Sequence, residues 1–277
     1  MNADNFPLAA YLARTGLEAL PPATPAGLAN LVAAQTRAVA FENLDPLAGR
    51  PVTVSRDAVL AKILDRGRGG YCFELNGLLG CALEAAGFAF ATRLARVNYR
   101  RTEPGPLSHQ VFLVDCGGTR WLADAGFGGP GLTEPAPFVP GTEFAQGEAR
   151  FRLDAAHGGD VQLRREIDGA WVDLYLIAGH AILPVDIEVA NHFVSTWERS
   201  PFRSMFMVAR PVDRGFAMIQ GTDLVRLDGG FMPVERRPLA DAADLREVLA
   251  EVFGVSVEAE IAAAAWLRVN REPGAAA

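Results

Sequence analysis

Apolar positions recur at helical spacing through the first third of the chain. Leu8, Tyr11, Leu12 and Thr15 share one face of the stretch from Phe6 to Leu17, which stops at Gly16 and the Pro21-Pro22 pair. Thr24-Pro25 reads as a cap followed by proline at the first helical position, opening a helix with Leu28, Leu31, Val32 and Gln35 on one side. Ser55 is placed as the cap of a third helix carrying Val59, Leu60, Ile63 and Leu64. After a glycine-rich break from Arg66 to Tyr71, a fourth helix is expected from about Cys72 to Ala86, ending at Gly87. The period then changes to two. Phe88 to Tyr99, Gln110 to Cys116 and Arg120 to Ala125 alternate like strands, with Gly117-Gly118 as a hairpin turn between the last two. Val161 to Ile167 and Trp171 to Ile177 flank an Asp168-Gly169 turn. Gly126 to Glu148 is rich in glycine and proline and reads mostly as loop. In the last third, Met205 to Pro211, Phe216 to Gln220 and Asp223 to Leu227 read as strands, and Asp241 to Phe253 and Ala259 to Val269 as helices. Arg271 to Ala277 reads as a loose tail. Helices, then strands, then a mixed segment suit an α+β protein better than a doubly wound sheet.

Composition narrows the class of protein. Half of the 277 residues are hydrophobic and 21% are charged, which supports a packed core. The net charge of -7 argues against a general nucleic-acid surface, and the only lysine is Lys62. Three cysteines without a CxxC pair, and four scattered histidines, give neither a disulfide framework nor a zinc site; no metal is expected. Met1 to Leu20 has no secretory pattern and no apolar run reaches membrane-spanning length. A reduced, cytoplasmic setting and no membrane partner are therefore expected.

Cys72 stands just after Gly69-Gly70-Tyr71 and opens a helical run. Helix N-termini favour a thiolate, the nucleophilic form of cysteine. Read alone, the residue is more often a small buried hydrophobe, and Cys81 and Cys116 are assigned to packing. His109 begins a strand and Asp124 ends the next. If Gly117-Gly118 closes a hairpin, the start of one strand lies beside the end of the other, so His109 and Asp124 can meet. Singly, these would be a surface histidine and a turn carboxylate; together with Cys72 they form a candidate Cys-His-Asp triad.

Four segments in order carry a family resemblance. Arg68-Gly69-Gly70-Tyr71-Cys72-Phe73-Glu74-Leu75-Asn76 is similar to the active-site segment of the arylamine N-acetyltransferases. Phe41-Glu42-Asn43-Leu44, Ser108-His109 and Asp124-Ala125-Gly126-Phe127-Gly128 follow the same family's spacing. Asn191 to Thr196, with Ser200-Pro201-Phe202, resembles its later block. The resemblance implies a papain-like cysteine-triad fold with three segments. These are an N-terminal helical bundle (1–87), a central β-barrel (88–195) and a C-terminal α/β lid (196–277). It also implies acetyl-CoA as co-substrate with no permanently bound cofactor. The acetyl group would pass through a Cys72 thioester to an arylamine or hydrazine, with His109 as base and Asp124 orienting it.

Supporting positions follow. Glu42 and Arg68 are expected to pair beneath the glycine loop, and Asn76, four residues after Cys72, shares its helical face. Phe41, Phe127 and Phe202 match positions that line the acceptor pocket in relatives, with plain core packing the competing reading. Gly126, Gly128 and Gly129 offer backbone N–H groups to CoA phosphates. Arg93, Arg96, Arg100 and Arg101 read as a solvated strand edge. The chain departs from the family at Trp197-Glu198, where relatives often carry His-Pro. Three alternatives stay open: an amide synthase fed by a carrier protein, a cysteine hydrolase, and a silent binding protein. A homo-oligomer is compatible with the sequence.

Overall fold

The computed structural model describes residues 6–213 and 215–270; the tail from Arg271 lies outside them. Helix α1 (Leu8–Thr15) ends at Gly16, whose φ of 72° suits the left-handed stop. Helix α2 (Pro25–Ala38) starts at Thr24, whose Oγ1 accepts from the Gly27 amide at 3.1 Å. A single helical turn, α3 (Leu44–Leu47), was not signalled by periodicity. Ser55 precedes α4 (Arg56–Leu60) as expected, but its side chain makes no capping bond. That helix continues as a wide π turn, Ala61–Asp65. Helix α5 (Cys72–Ala85) begins at the candidate nucleophile.

Strands β1 (Ala89–Val97), β2 (Leu107–Cys116) and β3 (Thr119–Ala123) follow. Gly117 and Gly118, with φ of 60° and 75°, make the tight turn between the last two. Within the stretch read as loop lie a two-residue β4 (Ala136–Pro137) and β5 (Thr142–Gln146). Beyond it come β6 (Ala149–Ala155), β7 (Val161–Ile167) and β8 (Ala170–Ile177). These eight form an antiparallel, barrel-like sheet in the order β4-β3-β2-β1-β8-β7-β6-β5. Gln146 links its two edges: Oε1 accepts from the amides of Thr133 (2.8 Å) and Glu134 (3.2 Å), and Nε2 donates to the Glu134 carbonyl (2.7 Å).

Helix α6 (Pro184–Thr196) returns the chain to the helical layer. A second sheet, β12-β11-β10-β9, is built from β9 (Val208–Val212), β10 (Gly215–Gln220), β11 (Asp223–Leu227) and β12 (Pro233–Pro238). Helices α7 (Ala242–Glu251) and α8 (Ala259–Val269) complete the described chain.

Side-chain alternation divides the interior. On β2, Val111 and Leu113 join the barrel core with Phe151, Leu163 and Tyr175. Phe112, Val114 and Cys116 face the helical core of Leu28, Leu31, Phe73 and Leu79. Helices α7 and α8 pack on the second sheet through Val208, Ala217, Ile219, Leu249 and Ile261. The Phe41 backbone bridges Gly70 on one side and Ala209 on the other. The segment before the candidate nucleophile is thereby stitched into the edge of the second sheet.

Candidate active site

Three elements converge on the site. Cys72 is the first residue of α5, His109 lies near the start of β2, and Asp124 directly follows β3. The β2–β3 register pairs Phe112 with Ala123, so the hairpin brings the histidine and the aspartate together. His109 Nε2 lies 2.7 Å from Asp124 Oδ2. The Cys72 thiol donates to the Ser108 carbonyl at 3.4 Å and neighbours the imidazole. All three side chains are deeply buried, at 3%, 2% and 1% exposure.

Burial by itself would strip the imidazole of its proton. The charge and hydrogen bond of Asp124, with a smaller pull from Cys72, outweigh it and raise His109 to about 10. Asp124 is held below the usual carboxylate range. Burial pushes it up, but His109, Asn76 and the Gly126 amide together prevail. Both shifts favour the imidazolium–carboxylate form of the pair.

Asn76 occupies the far side of that carboxylate. Its Nδ2 donates to Asp124 Oδ1 at 2.9 Å and to the Gln110 carbonyl at 2.6 Å, and its Oδ1 accepts from the Ala125 amide at 3.0 Å. The Gly126 amide donates to Asp124 Oδ1 at 2.9 Å, so it is engaged with the triad and not turned toward a phosphate. A Cβ on Gly126 would stand 2.7 Å from Asn76 Nδ2 and 3.0 Å from the Cys72 backbone; only glycine lets the loop pass this close. Gly128 has φ of 71° and lies against the Phe41 ring, where a Cβ would collide. Gly128, Gly129, Phe41 and Phe127 line a small cleft, and Cys72 is not among its walls.

Of the three expected aromatic residues, Phe127 packs on His109, while Phe202 packs on Tyr71 and Phe41. Phe127 meets His109 at 5.4 Å between ring centres, and Phe202 lies 5.5 Å from Tyr71 and 6.3 Å from Phe41. Trp197 stands exposed past the end of α6, stacked on Phe193 at 5.0 Å, with the Arg199 guanidinium 4.9 Å from its ring centre.

Beneath the glycine loop the expected pair is part of a larger buried cluster. Arg68 donates through Nε and Nη2 to Glu42 Oε1 at 3.0 and 2.7 Å. Lys62 Nζ lies 2.7 Å from both Asp45 Oδ2 and Glu74 Oε1. Glu74 Oε2 in turn accepts from the Tyr71 amide at 3.1 Å, next to Cys72. Burial alone would lower the proton affinity of Lys62 and Arg68, and the carboxylates around them raise it instead.

Sequence reasoning did not find Asp45, Lys62 or Glu74, since charges spaced 12 to 29 residues apart carry no local signal. It also missed Tyr175, whose ring lies 4.9 Å from that of His109. The Tyr175 hydroxyl is buried, has no partner in hydrogen-bond geometry among the described residues, and lies near enough to Asp124 for the carboxylate to add to the effect of burial in raising its pKa. Tyr71 donates its hydroxyl to Asn191 Oδ1, which ties the nucleophile's loop to α6.

The chain is similar to known proteins over most of its length. The sequence model of the N-acetyltransferase family matches residues 26–262. An arylamine N-acetyltransferase of Mycolicibacterium smegmatis is 36% identical over 256 residues, which cover 90% of this chain and 92% of that protein. A Salmonella typhimurium protein named arylamine N-acetyltransferase / N-hydroxyarylamine O-acetyltransferase is 33% identical over 271 residues, covering 92% and 94%. The solved structure of Mycobacterium marinum arylamine N-acetyltransferase in complex with CoA matches with a TM-score of 0.87 at 33% identity. That match covers 94% of this chain and 99% of the other.

Proposed function

The chain belongs to the N-acetyltransferase family, and on that premise we propose that it transfers acetyl from acetyl-CoA to an arylamine or hydrazine by way of a thioester on Cys72. The observation that carries the mechanism is the 2.7 Å contact between His109 and Asp124 beside the Cys72 sulfur. The CoA complex of the similar M. marinum protein supports the donor, and the names of the relatives support the acceptor class.

In the first step the Cys72 sulfur, having given its proton to His109, attacks the acetyl carbonyl. The bond to the CoA sulfur breaks, and the imidazolium returns a proton to the departing thiolate. In the second step the amine attacks the thioester carbonyl, His109 takes the amine proton, and Cys72 leaves as a thiolate. The Cys72 backbone N–H, at the first position of α5, is the candidate donor to the oxyanion in both steps. Asp124 keeps the ring oriented and stabilises its charged form. Aromatic amines stay neutral at pH 7 and keep their lone pair, whereas most aliphatic amines are protonated, so the chemistry favours aromatic acceptors.

Intact mass after mixing with acetyl-CoA and no acceptor tests this reading. One acetyl group mapped to Cys72, and discharged by an added arylamine, is expected; Cys72→Ala should carry none. No adduct together with no release of free CoA would overturn the donor assignment and favour a carrier-linked acyl group.

A further inference from the structure

Two partly buried guanidinium groups outside the triad, those of Arg14 and Arg210, make no ion pair among the described residues. Arg14 lies in the last turn of α1. Arg210 lies on β9 and leaves the same strand face as Val208, which packs on α7 and α8. Arg14 Nη2 donates to the carbonyls of Arg68 (3.3 Å) and Gly254 (3.0 Å). The Nε atoms of both arginines are buried without a partner among the described residues. Burial presses both below the usual arginine range, and for Arg14 the charge of Arg210 adds to it; no carboxylate acts on either. Each side chain is partly exposed.

Both guanidinium groups come close to Gly254. Gly254 has φ of 62°, and the point where its Cβ would stand is 3.1 Å from Arg210 Nη1 and 3.9 Å from Arg14 Nη1, with nothing else outside the local backbone within 4 Å. The two forks thus lie near each other beside Gly254. A carboxylate has two oxygens and one charge, enough for a single fork. A phosphate group has three or four oxygens and up to two charges, enough to bridge two guanidinium groups.

We propose that Arg14 and Arg210, brought together beside Gly254, form a binding site for a phosphate group. The site goes beyond acyl transfer and uses none of the triad residues. Its ligand would bridge α1 and β9 over the turn that follows α7. Arg14 already holds the Arg68 carbonyl, four residues before Cys72, so the bound phosphate would also brace the back of the glycine loop.

The test is calorimetry and thermal melting of the full chain at constant ionic strength, with inorganic phosphate and adenosine 3′,5′-bisphosphate as probes and chloride as control. Saturable binding is expected for at least one probe, weakened at least tenfold in Arg210→Gln. The tighter probe tells free phosphate from a nucleotide-borne group. Arg210→Glu, which supplies Arg14 with a carboxylate from the chain itself, should melt no lower than the unmodified protein in phosphate-free buffer and show no phosphate response. Absence of a saturable response to either probe, or a response that both variants retain in full, overturns the proposal.

Discussion

At the scale of single residues, the His109–Asp124 pair sets how the site responds to pH. His109 is raised to about 10 from an ordinary value near 6.5. Its contribution to folding is fully present below about pH 6.5 and is lost as pH rises through about 10. Asp124 is depressed, so its contribution is present above about pH 3.9 and is lost as pH falls through its lower folded value. Urea unfolding across this range should show a plateau with losses on both sides. Asp124→Asn should flatten both limbs and slow acylation by orders of magnitude, since the imidazole loses its charge partner. An unchanged alkaline limb in that variant would remove Asp124 as the cause. Asn76→Ala is a second test. It strips Asp124 Oδ1 of one donor and leaves the buried Ala125 amide unpaired, a cost of about 1–3 kcal/mol. The triad was legible in the sequence because a hairpin turn and a helix start are local signals that place three side chains. Tyr175 was not legible, because its place beside His109 depends on β8 pairing with β1, and no local feature reports that.

At the scale of elements, the π turn after α4 matters most for the nucleophile. A π turn advances the chain less per residue and re-aims side chains. Lys62 lies on this turn and points inward at Asp45 and Glu74, though Val59, Leu60 and Ile63 give the segment an ordinary helical pattern. Removing its charge leaves three buried carboxylates, Glu42, Asp45 and Glu74, with Arg68 as the remaining cation of the cluster. Lys62→Met should cost about 3–5 kcal/mol for that reason. Glu74→Gln keeps an acceptor for the Tyr71 amide and drops one charge, so the double variant should regain a large part of the loss. Chemical denaturation of both singles and the double gives the coupling directly, and additive losses would sink the account. The same contrast of local and non-local signals explains the other differences. Helices α2 and α5 and the β2–β3 hairpin announce themselves through caps, apolar faces and Gly-Gly. Strand β12 is exposed along its whole length and offers no alternation to read. Helix α6 turns Val185, Val189 and Phe193 outward, which blurs its amphipathic pattern. Strand β6 does alternate, Phe151 and Leu153 against Arg150, Arg152 and Asp154, but adjoins a glycine- and proline-rich stretch.

At the scale of the whole molecule, the barrel and the second sheet meet around a buried cation. Arg165 on β7 is 1% exposed, and its guanidinium lies 5.5, 5.7 and 5.1 Å from the ring centres of Phe151, Phe216 and Phe231. Its Nη2 donates to the Gly229 carbonyl at 2.8 Å, and Nε has no partner among the described residues. Burial lowers it to about 10, so the charge is costly where it sits. The three rings and one carbonyl offset part of that cost; cation–π contacts are worth about 0.5–2 kcal/mol each. Two substitutions separate the charge from the volume. Arg165→Met keeps most of the bulk among three phenyl rings and removes the desolvated charge, so its stability should stay within about 1 kcal/mol of the parent or exceed it. Arg165→Ala opens a cavity at the joint and should lose about 2–5 kcal/mol, as large-to-small changes in cores do. Equal losses in the two variants would mean that the cation itself holds the barrel to the second sheet. A loss confined to alanine would mean that packing does. In that second case acyl transfer by Arg165→Met should match the parent, because every residue of the triad lies on elements that this joint does not build.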